Sequence, residues 1–228
     1  GSVELRNVST PRGEFPRFEG LDFAILPRLG LSMVLDRSLE NVRYYGRGPN
    51  ENYVDRCSAS DIAYWESTVT DQYVEYARPQ DNGYKCDVRW AAFLDDDGGG
   101  VLIKGSVPMY MQALHYSMGE LELQRHRGAG TWSDKSQERF YAPMFPRDEV
   151  MLNVDLRQLG LGNASCGQGP LECYMFPCRR EEWSLTFVPV RDGGVTSLRA
   201  AARKVRQEIP ERSGRKSVRA SGMGFDGG

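Results

Sequence analysis

Alternation with a period of two constrains this chain more than any other feature. Leu29, Leu31, Met33 and Leu35 fall on one side of an extended backbone, with Gly30, Ser32, Val34 and Asp36 on the other. Val150, Leu152, Val154 and Leu156 alternate in the same way with Met151, Asn153 and Asp155. Such spacing reads as half-buried strands; Val88, Trp90 and Ala92 repeat it, as do Trp183, Leu185 and Phe187. The stretch "GVLIKGSVPMYMQALHY", residues 100–116, holds two more runs broken at Pro108. Turn-rich segments separate the runs: "GRGPNENY", "RPQDNGY", "DDDGGG" and "GAGTWSDKSQ". Many short strands joined by such turns predict an all-β fold, an antiparallel sandwich or barrel. Ser117 followed three residues later by Glu120 has capping-box spacing and predicts a short surface helix over "SMGELELQRHR".

With 228 residues and 40% hydrophobic side chains, the chain is long and apolar enough to bury a sizeable core. Its formal net charge of −2 supplies no general basic field for nucleic acid. No run of about 18 apolar residues exists to cross a bilayer. These features predict a soluble domain of cytoplasmic type with neither nucleic-acid nor membrane partners. The five cysteines, at 57, 86, 166, 173 and 178, are odd in number and read as reduced thiols. Cys173 and Cys178 have four residues between them and the nearest histidine, His126, lies far upstream, so no structural metal site is expected. The start at Gly1-Ser2-Val3, without an initiator Met or a leader pattern, reads as a fragment.

Composition changes after Val190. Residues 191–228 carry nine Lys/Arg against four Asp/Glu. Val195, Leu198, Ala202, Val205 and Ile209 suggest one basic amphipathic helix there, and "PERSGRKSVRASGMGFDGG" is too polar and Gly-rich to pack. The expected organisation is therefore a sandwich domain over 1–190 and a basic, disordered tail over 191–228 with one helix.

Several segments pose chemical questions. "GLGNASCGQGP", residues 160–170, is glycine-rich, yet a phosphate cradle needs a strand-to-helix junction. Pro170, "LECYMF" and Pro177 follow instead, without helical period, so the nucleotide reading fails. What remains is a tight loop that admits close approach of a ligand or of backbone, in which Asn163 and Ser165 can bond hydroxyls and Cys166 offers a soft apolar contact. "YYGRGPNENYVDR", residues 44–56, reads as a locked corner in which Arg56 pairs a carboxylate while Tyr44, Tyr45 and Tyr53 pack. In residues 76–90, Arg78 and Pro79 end one strand and Asp81-Asn82-Gly83 make a turn before the next. His115 and His126 are candidate acid–base groups without an evident partner, and no motif marks the pair of carboxylates, about 5 Å apart, that retaining glycosidases use.

Four blocks occur in one order: "LPRLGLSMVLDRSLENVRYYGRGPNENYVDR", "STVTDQYVEYARPQDNGYKCDVRW", "ALHYSMGELE" and "DEVMLNVDLRQLGLGNASCGQGP". From about Ser2 to Val190 the chain resembles the small-chain, C-terminal fifth domain of the β-galactosidases of glycoside hydrolase family two, and "GRGPNENYVDR" and "RPQDNG" are the most specific blocks. The resemblance implies an antiparallel β-supersandwich of the galactose-mutarotase-like type, incomplete at its N-terminus. It implies that the catalytic glutamates lie on a barrel domain outside this chain, and that the remaining domains or a large subunit, in a homo-oligomeric enzyme, are its partners. A terminal galactoside is then the substrate, and magnesium and sodium belong to the complete active site rather than to this chain. The loop 160–170 would reach the active-site rim, with Asn163, Ser165 and Cys166 as substrate-binding residues. Some members place a tryptophan there against the sugar, and Cys166 stands at the matching position. Two rivals stay open: a stand-alone carbohydrate-binding module, and an aldose-epimerase-like enzyme, which requires His115 or His126 to converge with a carboxylate in a concave face.

Overall fold

Ten strands form in the computed structural model, which describes residues 1–17, 20–76, 81–121, 145–162 and 168–205. In chain order they are β1 (Val3–Ser9), β2 (Arg28–Leu35), β3 (Asn41–Gly48), β4 (Asp61–Thr68), β5 (Lys85–Val88), β6 (Trp90–Leu94), β7 (Gly100–Gly105), β8 (Met109–Leu114), β9 (Val150–Gln158) and β10 (Glu181–Val190). One helix, α1 (Val195–Lys204), follows them. The strands make a six-stranded sheet in the order β1-β10-β7-β6-β3-β4 and a four-stranded sheet in the order β2-β9-β8-β5. Every strand pairing is antiparallel. The result is an all-β sandwich, as the alternation requires. Among the described residues no helix is long and apolar enough to cross a membrane.

The core lies between the sheets. Val42, Tyr44, Ala91, Phe93, Ile103, Trp183 and Leu185 of the six-stranded sheet meet Met109, Met111, Ala113, Val150, Leu152 and Val154 of the other, with Leu31 and Met33 packed alongside. These are the residues that alternation placed on one face of β2, β9 and β10.

Two expectations change. The Val88–Trp90–Ala92 run is not one strand. Val88 ends β5 in the four-stranded sheet and Trp90 begins β6 in the six-stranded one, with Arg89 alone between them. Asp87, at φ 55°, turns the chain in the left-handed region that non-glycine residues seldom adopt, and Arg47 Nε holds its carboxylate at 2.6 Å. Trp90 and Ala92 consequently face outward, away from the core that Val88 enters.

The second change concerns the region after Val190. A helix forms over Val195–Lys204, within the span suggested by the spacing, but it is docked; Val205 is already extended and Ile209 lies outside the described residues. Leu198 and Ala202 are buried against Trp90, Ala92, Leu94 and Leu102 on the outer face of the six-stranded sheet. The ammonium of Lys104, from β7, donates to the carbonyls of Ala202 and Val205 at 2.8 and 2.7 Å and so closes the C-terminal turn. Arg43 reaches the Gly193 carbonyl just before the helix. Two alanines, 201 and 202, let the helix lie close to the sheet, so a face of modest apolar content suffices to seat it. The packed part of the chain therefore continues through this helix rather than stopping at 190; residues 206–228 lie outside the described residues.

The predicted cap at Ser117 is present. Glu120 N donates to Ser117 Oγ at 3.2 Å and the Glu120 carboxylate accepts from Ser117 N at 2.7 Å, opening a helical stretch over 118–121. The rest of that predicted helix, including His126, lies outside the described residues.

Candidate functional site

Register sets the first part of the site. On the outer face of the four-stranded sheet, Ser32, Asn153 and Gln112 form one cross-strand row, and Gly30, Asp155 and Tyr110 the next. Ser32 Oγ donates to Asn153 Oδ1 at 2.5 Å, Asn153 Nδ2 to Gln112 Oε1 at 2.7 Å, and Gln112 Nε2 to the Asn82 carbonyl at 2.6 Å. This face is not exposed, although β9 reads in sequence as half-buried. Asn153 and Asp155 are buried beneath the segment that leads into β5. The polar groups there are tolerated because each one meets another.

Asp155 is the centre of this layer. Its carboxylate accepts from the Tyr84 hydroxyl and lies 3.2 Å from Arg28 Nε. Arg28 also donates to Asp81 Oδ1 and Gln158 Oε1 at 3.4 and 3.3 Å, and its guanidinium sits 5.0 Å from the Tyr84 ring centre. Burial raises the Asp155 carboxyl above the ordinary range, while Arg28 and the Tyr84 hydrogen bond oppose that shift. The Tyr84 hydroxyl is likewise pushed up by burial. A register shift between Leu29 and Gly30 brings Gly30 opposite Asp155, where any Cβ would fall inside the carboxylate.

A second carboxylate, Glu51, braces the neighbouring loop. Its side chain is only 6% exposed and accepts from Arg56, the Tyr76 hydroxyl, Tyr53 Oη at 3.3 Å and Gly83 N at 2.9 Å. Tyr53 stacks on Tyr84 with ring centres 5.8 Å apart, which joins the two polar centres. Asn52 completes the lock by accepting Cys86 N and donating to the carbonyls of Arg47 and Asn50. The sequence reading of residues 44–56 as a locked corner holds: Arg56 pairs Glu51, and Tyr44 and Tyr53 are buried. Tyr45 departs from it, being 39% exposed. Asn82 Oδ1 and Nδ2 pair with the amide and carbonyl of Val74, and Gly83 has φ 65°, as a turn there requires. Arg78 and Pro79 lie outside the described residues.

The third part is the neck of the glycine-rich loop. Gly162 has φ 59°, and a Cβ on it would meet Pro170 N at 2.5 Å, so the two ends of the loop touch. Gly162 N donates to Asp55 Oδ2 at 2.7 Å, and Gly160 N to the Tyr174 carbonyl at 3.0 Å. A cavity of about 430 Å³ opens beside the neck, lined by Asp55, Arg56, Gly162, Gln168, Pro170 and Tyr174 among others. Gly160 and Gly162 thus shape the neck of the loop. Asn163, Ser165 and Cys166, the predicted substrate-binding residues, lie outside the described residues; their flanks on both sides are described.

His115 does meet a carboxylate. Its Nε2 lies 2.8 Å from Glu40 Oε2 and its Nδ1 lies 3.1 Å from the Glu149 carbonyl. Glu40 is itself held by Thr70 N at 2.9 Å. Through these two contacts the imidazole ties the 36–40 turn to the β8–β9 end. The carboxylates that share a partner elsewhere, Asp155 and Asp81, are bridged by Arg28. Among the described residues no three His, Cys, Asp or Glu side chains come together as a ligand group.

The sequence reading missed the Asp155, Tyr84 and Arg28 cluster. A signal was available in the small residues Gly30 and Ser32 facing the polar face of β9, but it carries meaning only once the strand pairing is known.

Taken together, the fold and this end of it define a β-sandwich with braced polar loops, in which Asp155, Glu51 and Asp55 each bond other protein groups. A family model described as β-galactosidase small chain matches residues 1–188, and the chain belongs to that family. β-Galactosidase BgaC of Bifidobacterium adolescentis is 38% identical over 185 residues, covering 77% of this chain and 16% of that protein. A β-galactosidase of Priestia megaterium is 36% identical over 137 residues, covering 60% of this chain and 12% of that protein. One from Staphylococcus xylosus is 30% identical over 159 residues, 70% of this chain and 14% of that protein. The chain therefore spans a small fraction of the length of the curated relatives it matches.

Proposed function

We propose that this chain is the C-terminal portion, the fifth domain, of a glycoside hydrolase family two β-galactosidase that removes terminal β-D-galactosyl groups with retention. In this reading the chain contributes scaffold and one rim loop, and the acid/base and nucleophile glutamates reside on another domain or subunit. The observation that carries the proposal is the family match over residues 1–188, joined by relatives that are themselves named β-galactosidases. The chemistry of the described carboxylates agrees with it. Asp155 and Glu51 are saturated by neutral and cationic donors inside the protein, which suits bracing rather than nucleophilic attack. On the rim, Cys166 replaces the stacking surface of an indole with a small thiol, so aglycone or acceptor binding relies more on the hydroxyl and amide of Ser165 and Asn163.

The test is direct. The purified chain alone should give no hydrolysis of a chromogenic β-galactoside above buffer, and should yield turnover when joined to, or co-expressed with, the catalytic remainder of its enzyme. Hydrolysis by the isolated chain, lost on mutating one of its own carboxylates, would refute this division of labour.

A further inference from the structure

We propose that Asp55 is a positioning residue for the active-site rim: its carboxylate anchors the neck of the 160–170 loop through Gly160 and Gly162. The inference rests on the rim-loop reading above, and names the group that anchors that loop's neck.

Asp55 is presented on a rigid platform. Tyr53 and Arg56 exchange backbone hydrogen bonds of 3.1 and 2.9 Å, which places Val54 and Asp55 at the tip of a tight two-residue turn. Both flanks of that turn are fixed, Tyr53 by burial and stacking on Tyr84, and Arg56 by Glu51 and by its 5.0 Å approach to the Tyr53 ring. From this turn the carboxylate crosses to the loop. Oδ2 accepts Gly162 N at 2.7 Å, a charge-assisted bond to a backbone amide. The same oxygen packs against Gly160, where an added Cβ would meet it at 2.7 Å and Tyr174 Cβ at 3.0 Å. Gly160 and Gly162 are therefore matched to a carboxylate standing between them, and the Gly162–Pro170 contact closes the loop directly beyond it. The second oxygen, Oδ1, is buried with no hydrogen-bond partner among the described residues, so the Gly162 amide is the described hydrogen bond of this carboxylate. No other side chain among the described hydrogen bonds ties the 44–56 block to this neck.

The bond can be read on the full 228-residue chain by site-resolved amide exchange. In Asp55→Ala, exchange at the Gly162 amide should accelerate about tenfold or more, the amount expected on losing a bond to a charged acceptor, while Val154 and Ala92 in the sheets keep their protection. Asp55→Asn, which retains an acceptor of the same shape, should restore most of the slowing and guards against a variant that merely fails to fold. In the β-galactosidase polypeptide carrying this chain, Asp55→Ala should raise KM and lower transfer to an added sugar acceptor more than it lowers kcat, with Asp55→Asn close to the parent. Unchanged exchange at Gly162 in a folded Asp55→Ala chain overturns the inference and leaves the β-galactosidase assignment standing. Faster exchange with unaltered KM and acceptor transfer overturns the rim reading and, with it, the positioning role of Asp55.

Discussion

Removing α1 should destabilise the sandwich, and the size of the loss follows from what it covers. Leu198 is fully buried and Ala202 nearly so, over Trp90, Ala92, Leu94 and Leu102. Truncating a buried leucine costs about 2–5 kcal/mol where the site cannot collapse. Here the cost has a ceiling, because a ten-residue helix does not persist alone and detaches once docking fails. Beyond that point a further change in the helix has no effect on the remaining fold. Baring Trp90, Leu94 and Leu102 to water, at roughly 25 cal/mol per Å² of apolar surface, and losing the Lys104 contacts set that ceiling at about 3 kcal/mol. For a domain of this size, ~1 kcal/mol corresponds to roughly 2–4 °C in Tm, so deletion of residues 192–228 should lower Tm by about 6–12 °C. Leu198→Asp should match the deletion, and Leu198→Ala should fall between it and the parent. Thermal unfolding followed by far-ultraviolet circular dichroism and calorimetry measures all three. If the deletion and Leu198→Asp both leave Tm within about 1 °C of the parent, the docked helix contributes nothing and the reasoning fails.

Two other outcomes follow from the buried polar layer. Gly30→Ala should cost about 3 kcal/mol in urea unfolding because its methyl enters the Asp155 carboxylate, and the penalty should shrink in an Asp155→Ser background; strictly additive penalties would show that the two residues do not collide. Lys85 is buried, and desolvation lowers its ammonium to about 8 from the ordinary 10.5, against a smaller opposing pull from Glu51. Between those values the unfolded chain binds the proton that the folded chain has released, so this group's contribution to stability rises with pH across that window. Lys85→Met should therefore stabilise most below pH 8, by up to about 3 kcal/mol, with the advantage shrinking toward pH 10.5. Comparing variant with parent at each pH cancels the opposite trend from buried Tyr44 and Tyr53, whose hydroxyls are raised by burial. A difference independent of pH would mean that Lys85 is solvated in the folded state.

Legibility in the sequence tracked the distance over which each feature is determined. The inner faces of β2, β9 and β10 were legible because alternation is local and the opposing sheet makes one uniform demand, apolar contact. The locked corner at 44–56 was legible for a related reason, since Glu51 and Arg56 lie in one short segment. Asp155 was not, because its partners Tyr84 and Arg28 are remote in sequence and a polar residue at an alternating position means solvent unless another segment covers it. The passage from Val88 to Trp90 was misread because a strand that changes sheets keeps its period while exchanging the faces to which it refers. The docking of α1 was hidden by its small residues: Ala201 and Ala202 lower the apparent hydrophobicity of a face that binds by close approach. For the predicted rim, what the structure reaches is the neck and its anchor Asp55 rather than Asn163, Ser165 and Cys166 themselves.

The single residue between β5 and β6 has a mechanical meaning for the whole sandwich. With Arg89 as the entire link, the last residue of β5 in one sheet and the first residue of β6 in the other are nearly consecutive, so at this point the two layers cannot separate by more than the span of that link. The two layers are thus stitched at a point that also bears Asp87 and its Arg47 tether, close to the loops at 47–56. A displacement at the polar end passes into the six-stranded sheet through covalent bonds as well as through packing. The layers should consequently part in one cooperative event rather than peel separately, and the loops mounted on this end inherit the stiffness of both sheets at once.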